Sequence, residues 1–167
     1  MRLLITYSSR TGNTQKLAEG IYNCMYGIET DIKAISEVKE IDKYTHILVG
    51  YWVDSGKPNT EAAEFMSTLR NKKVGIFATL GTYPDSNDAW TSIVKGEDMI
   101  KNDNIVIGKY ICQGAIDAEV LDTFKPFKST NEEYLKQVKL KQYEISKLHP
   151  NEADILSAAK MFKERLY

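Results

Sequence analysis

Short apolar runs alternate along the chain with segments whose apolar residues recur every three or four positions. Leu3-Leu4-Ile5-Thr6-Tyr7, Ile47-Leu48-Val49-Gly50-Tyr51 and Val74-Gly75-Ile76-Phe77-Ala78 have strand length and almost no polar interruption; Ile105-Val106-Ile107 through Tyr110-Ile111-Cys112 makes a fourth run. Runs without alternation predict strands covered on both faces, the habit of parallel sheets. The stretch from Glu29 to Ile35 alternates polar and apolar residues and predicts a wetter edge strand. Between the runs, Leu17, Ile21, Cys24 and Met25 share one helical face and Ala62, Phe65, Met66 and Leu69 another. Trp90, Ile93 and Val94 open a third helix, capped by Asp85 or Ser86, with Trp90 expected to pack inward. Ile155, Ala159, Phe162 and Leu166 mark a last helix that starts at Pro150 and Asn151. Strands alternating with helices predict βαβ units, hence an α/β fold with a parallel sheet between helical layers.

Residues 117–149 break that alternation. Lys125-Pro126-Phe127 predicts a loop, and about Asn131 to Leu148 a helix with Leu135, Val138, Ile145 and Leu148 along one side. The expectation is one domain over residues 1–167 with an inserted loop-helix segment. Between Lys125 and Lys147 stand six lysines and three glutamates; a solvated face is expected, a docking surface for an acidic partner being the alternative.

Composition removes other classes. The 167 residues are 43% hydrophobic and 27% charged, which excludes a disordered tail or a disulfide scaffold. Lys+Arg 22 against Asp+Glu 23 argues against a nucleic-acid partner. Cys24 and Cys112 lie in no metal-binding cluster, and His46 and His149 are too few for most histidine metal sites. The longest apolar run, Ile47 to Val53, falls well short of the roughly 20 residues that cross a membrane. The apolar part of Met1 to Tyr7 is too short for a signal peptide, so a soluble cytoplasmic protein is expected.

The candidate chemistry follows the first strand. In Ser8-Ser9-Arg10-Thr11-Gly12-Asn13-Thr14, hydroxyls and an amide surround a glycine that lets backbone N–H groups approach one point, and a helix N-terminus follows. A plain N-cap needs one such residue; five around a glycine favour a phosphate site. The loop is no Walker A sequence, since no Gly-Lys-Ser/Thr occurs, and a single glycine is no dinucleotide fingerprint. A phosphorylated receiver domain is disfavoured because the first strand ends without an acid and only Asp54 follows the third.

At these residues the chain resembles the flavodoxins. Ser9-x-Thr11-Gly12-Asn13-Thr14 after a buried first strand is similar to their phosphate loop for flavin mononucleotide (FMN), and the likeness runs on to the closing His149-Pro150-Asn151-Glu152-x-Asp154-Ile155. The resemblance implies a three-layer, doubly wound, five-stranded sheet of order 2-1-3-4-5 with FMN at the switch point. It implies flavin contacts from Ser8, Ser9, Arg10, Thr11, Gly12, Asn13 and Thr14, from Tyr51-Trp52-Val53-Asp54, and from Thr79-Leu80-Gly81-Thr82-Tyr83. Trp52 and Tyr83 are then the residues that sandwich the ring, with Tyr51 as substitute for Trp52. Arg10 either partly neutralises the phosphate or points into water. Asp54, Asp85 or Asp88 near the ring would disfavour an anionic reduced flavin, and Gly56 or Gly81 would let a peptide rotate towards a ring nitrogen.

Cys112-Gln113-Gly114 ends the fifth strand on the same rim; Cys112 is expected in the core and Cys24 on a structural helix face. No Ser-His-Asp set, paired-carboxylate site or metal site is visible, so no catalytic residue is assigned. The loops Tyr7 to Thr14 and Gly50 to Gly56, with Cys112-Gln113-Gly114, look like a small bacterial subgroup of which some members are associated with bilirubin reductase. That resemblance implies an electron carrier whose partner is a flavin or iron–sulfur reductase, without nucleic-acid or membrane partners, its oligomeric state left open. A near-zero net charge departs from the acidity of many flavodoxins. The alternatives are an NAD(P)H-dependent FMN reductase acting on a quinone or similar acceptor, and a flavin-free binding module.

Overall fold

The computed structural model describes residues 1–122 and 132–167. From the N-terminus run β1 (Leu3–Tyr7), α1 (Asn13–Asn23), β2 (Thr30–Ala34), β3 (His46–Asp54), β4 (Lys57–Pro58), α2 (Thr60–Ser67) and β5 (Lys73–Leu80). Then follow α3 (Asn87–Ile100), β6 (Ile105–Gln113), α4 (Ala118–Asp122), α5 (Glu132–Ser146) and α6 (Glu152–Arg165). Five strands pair in parallel in the order β2-β1-β3-β5-β6. This is the expected 2-1-3-4-5 order once β4, a short antiparallel partner of β3, is set aside.

Alternation along each strand divides the core in two. Leu3 and Ile5 of β1, Leu48 of β3 and Phe77 of β5 face α1 and α6, where Leu17, Ile21 and Phe162 close the layer. Leu4, Val49, Tyr51 and Ile76 face the other way, towards Ala62 and Met66 of α2 and Ile93 of α3. Burial on both faces is why these strands read as continuous apolar runs. Phe162 meets Phe77 edge-on at 6.4 Å between ring centroids. A Cβ on Gly75 would come within 2.6 Å of Phe162, so a glycine there lets α6 sit close on the sheet.

Local signals set the helix ends. The Ser86 hydroxyl accepts from the Ala89 amide at 3.2 Å and caps α3, resolving the choice between Asp85 and Ser86. Asn151 and Asp154 form a reciprocal capping box at the start of α6.

One sequence expectation needs correction. Trp90 lies on α3 but is 70% exposed rather than packed, because Ala89, Ser92, Ile93 and Gly96 form the helix's inward face. The fourth apolar run, β6, is covered on both faces, Val106 and Ile111 packing on one core layer and Ile107, Tyr110 and Cys112 on the other, although it is an edge strand and Ile105 at its start is 63% exposed. The helix expected from about Asn131 to Leu148 is α5, and Leu135, Val138 and Leu148 are exposed. Lys125-Pro126-Phe127 and Asn131 lie outside the described residues. Lys136, Lys139, Lys141 and Lys147 are exposed, which a solvated face and a docking surface both require.

Phe162→Ala is expected to cost about 3–5 kcal/mol, the range for a buried aromatic, and Trp90→Ala less than about 1 kcal/mol. Urea unfolding of the two variants checks this; equal losses would contradict the core described here.

Candidate functional site

Because the strands are parallel, the chain leaves β1, β3, β5 and β6 at one rim. There the following segments enclose a cleft of ≈ 240 Å³. Ser9, Arg10, Thr11, Asn13 and Thr14 line it from the β1–α1 loop and the first turn of α1; Trp52 and Val53 come from β3; Thr79, Leu80 and Gly81 come from the end of β5. Gly114, Ala115, Ile116 and Asp117, with Val120 of α4, close the remaining side.

The β1–α1 loop is built to gather donors. Gly12, at φ 94°, is the N-cap residue of α1 and makes no side-chain cap. No atom stands within 4 Å of where its Cβ would be, so it is backbone conformation alone that favours glycine there. The amides of Gly12 and Gln15 both point at the Ser9 hydroxyl oxygen, at 3.2 and 3.3 Å. These long bonds show two N–H groups converging on one oxygen at a helix N-terminus, the geometry an anion's oxygen requires. The Asn13 amide donates to Thr11 Oγ1 at 3.2 Å and to the Ala115 carbonyl at 2.8 Å, tying the loop to the segment after β6. The Thr14 and Thr79 hydroxyls share a buried hydrogen bond of 2.8 Å. If Thr79 donates it, the Thr14 proton is left for a ligand in the cleft.

Several sequence-named residues stand elsewhere. Ser8 is buried; its hydroxyl donates to the Glu61 carboxylate and accepts from the Asn59 amide at 2.8 Å. It fastens the loop to the start of α2 rather than lining the cleft. Tyr51 is wholly buried and its hydroxyl donates to the Ser92 carbonyl at 3.1 Å, so it does not stand in for Trp52. Burial pushes its phenol up to about 12. Asp54 lies in the β3–β4 hairpin, whose turn residues Ser55 and Gly56 have φ of 51° and 70°. A two-residue turn with positive φ at both centres is the tight hairpin type, so Gly56 is used by the turn itself. Thr82 and Tyr83 lie just past the cleft residues of β5, and Tyr83 is 41% exposed. The acid that lines the cleft is Asp117, rather than Asp54, Asp85 or Asp88.

The segment after β6 is what the sequence reading missed beyond Gly114. It carries few hydroxyls and no aromatic residue, and the available signal was its position at a strand's carboxyl end. Its placement depends on close approaches: a Cβ on Gly114 would come within 2.9 Å of Asn13, and one on Gly81 within 2.8 Å of Ile116. Ala115 N–H donates to the His149 carbonyl at 3.1 Å, and Ile116 N–H to the Ser146 hydroxyl at 3.0 Å. Cys112 is buried below this rim; burial, with Asp154 adding to it, pushes its thiol far above the usual range and leaves it unreactive.

A wider hollow of ≈ 550 Å³ lies at the opposite end of the sheet, among His46, Lys72, Lys73 and Asn104. In strand–helix units the helices end there, presenting carbonyls and the negative end of their dipoles, which disfavours an anion. Among the described residues no group of three or more His, Cys, Asp or Glu is placed to hold a metal, and no helix is long and apolar enough to cross a membrane.

The sequence profile of the flavodoxin domain matches residues 4–163. A curated relative, the flavodoxin-like domain-containing protein BilS of Clostridioides difficile (strain CD3), is 33% identical over 172 residues, 99% of this chain and 97% of the relative. Among solved structures, the flavoprotein of Lactobacillus acidophilus NCFM in complex with FMN has a TM-score of 0.54 at 21% identity, over 74% of this chain and 99% of that one. The two-electron reduced flavodoxin of Megasphaera elsdenii has a TM-score of 0.52 at 25% identity, over 65% and 84%. Oxidised Flavodoxin 1 of Bacillus cereus has a TM-score of 0.56 at 14% identity, over 86% and 98%.

Asn13→Ala removes the tie to the Ala115 carbonyl and should cost about 1–2 kcal/mol. Amide exchange at Gly114 to Ile116 should quicken; unchanged protection there would show that Asn13 does not hold this side of the cleft.

Proposed function

The chain belongs to the flavodoxin domain family, and from that premise we propose that it binds one FMN in the rim cleft and carries electrons to a partner reductase. The observation that carries this reading is one cleft lined both by Trp52 and by Ser9, Thr11 and Thr14, with the Gly12 and Gln15 amides converging on the Ser9 hydroxyl at the start of α1. These residues fit the group: the phosphate takes the loop's N–H and O–H donors, and a flat ring takes the indole. At ≈ 240 Å³ the cleft is smaller than the roughly 300–1,000 Å³ of pockets that enclose their ligands. A ring held there keeps an edge towards water, which is what exchange of electrons with a second protein needs.

When bound, FMN supplies the redox chemistry. The protein's residues bind, orient and set the charge around it. The cleft holds one acid, Asp117, and no histidine or cysteine among its described lining residues, which suits a carrier better than an enzyme with its own acid–base step. The partner is read as a flavin or iron–sulfur reductase. The loop motifs shared with the subgroup described above make a bilirubin reductase the first partner to try.

Calorimetric titration with FMN and riboflavin tests the site. A hydrogen bond to a charged group is worth roughly 1.5–3 kcal/mol, so the Thr11→Ala, Thr14→Ala double variant should lose at least about tenfold in FMN affinity and little in riboflavin affinity. Equal losses for both flavins would remove the phosphate from this loop. Steady oxidation of NADH or NADPH by the protein alone would contradict the carrier reading.

A further inference from the structure

Arg10 departs from its neighbours in the loop. Its backbone belongs to the β1–α1 turn and the residue is exposed, yet its guanidinium carbon lies 5.8 Å from the centroid of the Trp52 ring. A guanidinium at that distance from an indole is attracted by the ring's quadrupole. Arg10 is the one Lys or Arg among the described residues lining the cleft, where Asp117 is the one acid. Among the described residues no carboxylate lies within 4.0 Å of it. The neighbouring Ser9, Thr11, Asn13 and Thr14 and the amides of Gly12 and Gln15 already supply hydrogen-bonding groups where the loop gathers donors. The single positive charge of the cleft is held beside the Trp52 ring.

We infer that Arg10, resting on Trp52, is the cation that favours the anionic reduced flavin ring over the neutral oxidised one, an inference that rests on the FMN reading above. The oxidised ring is neutral; two electrons from an external reductant and one proton from water leave it with one negative charge. A cation beside the ring stabilises that charge, and for a solvent-exposed guanidinium such as that of Arg10 the expected preference is roughly threefold to tenfold. Asp117 on the other wall acts in the opposite sense, so removing Arg10 leaves the cleft with an acid alone. Arg10 thereby distinguishes oxidised from reduced cofactor, where the loop's hydroxyls distinguish phosphate from no phosphate.

The experiment uses the full chain loaded with FMN or riboflavin and dithionite as reductant, at fixed pH, in low and high salt. For Arg10→Gln, which keeps a planar polar side chain without charge, the reduced-over-oxidised affinity ratio should fall about fivefold in low salt and less in high salt, where screening weakens the wild-type effect. Arg10→Lys, which keeps the charge, should retain most of the ratio. The preference of the oxidised protein for FMN over riboflavin should stay within about twofold of wild type. A collapse of that preference with the redox ratio unchanged would make Arg10 a phosphate ligand and overturn the inference. Both quantities unchanged would make it a solvated side chain and overturn it equally. A wild-type protein that takes up neither flavin would sink the FMN reading itself, an outcome distinct from either.

Discussion

The parallel pairing of β1 with β3 is the constraint on which the site depends. Their register sets Tyr7 beside Gly50, and the Ser8 amide makes the next bond, to the Gly50 carbonyl at 2.9 Å, before the chain turns away. From that point β1 feeds α1 on one face of the sheet, while β3 feeds α2 on the other. Two chains departing to opposite faces from adjacent strands leave a crevice between them at the carboxyl ends. The donor-rich loop, Trp52 and Thr79 meet there because the ladder delivers them to one level. The Ser8 contacts to Asn59 and Glu61 then lock the departing loop to the start of α2.

Much of this was legible in the sequence because burial on both faces leaves a simple mark. Strands sealed between two helical layers carry few polar residues, so β1, β3 and β5 stand out as runs, and the wetter β2 as an alternating segment. The donor loop was legible for a similar reason: five polar side chains around one glycine exceed what a helix cap requires. Edges and contacts between distant segments were less so. Nothing in the composition of β6 says that its outer side lacks a neighbour strand, and an exposed tryptophan looks the same as a buried one in a helical pattern. The β3–β4 hairpin escaped notice because Asp54-Ser55-Gly56-Lys57 reads equally well as an open loop; Ser55 reaches positive φ without being a glycine. The cleft wall after β6 is ordered by Asn13, His149 and Ser146, partners far away in sequence.

The chain carries almost no net charge. Lys+Arg 22 nearly balance Asp+Glu 23 over the whole chain, and the cleft repeats that balance on a small scale with Arg10 and Asp117. If the chain is a carrier as proposed, the lack of a strong overall field would make it depend less on long-range steering and more on local contacts around its rim. Within the cleft, a single opposed pair means that the removal of either partner changes the local field in a known direction. On the proposed reading the phosphate would rely on neutral donors and the helix N-terminus, so recognition of the cofactor and adjustment of its charge state would fall to different residues.

Phosphorus NMR of FMN mixed with the protein bears most directly on the central claim, that an anion sits among the amides of the β1–α1 loop. A phosphate held there is sequestered from bulk water and its resonance should move on binding and stop following pH through the ordinary second ionisation near 6. A resonance that keeps titrating like that of free FMN at saturating protein would contradict the account.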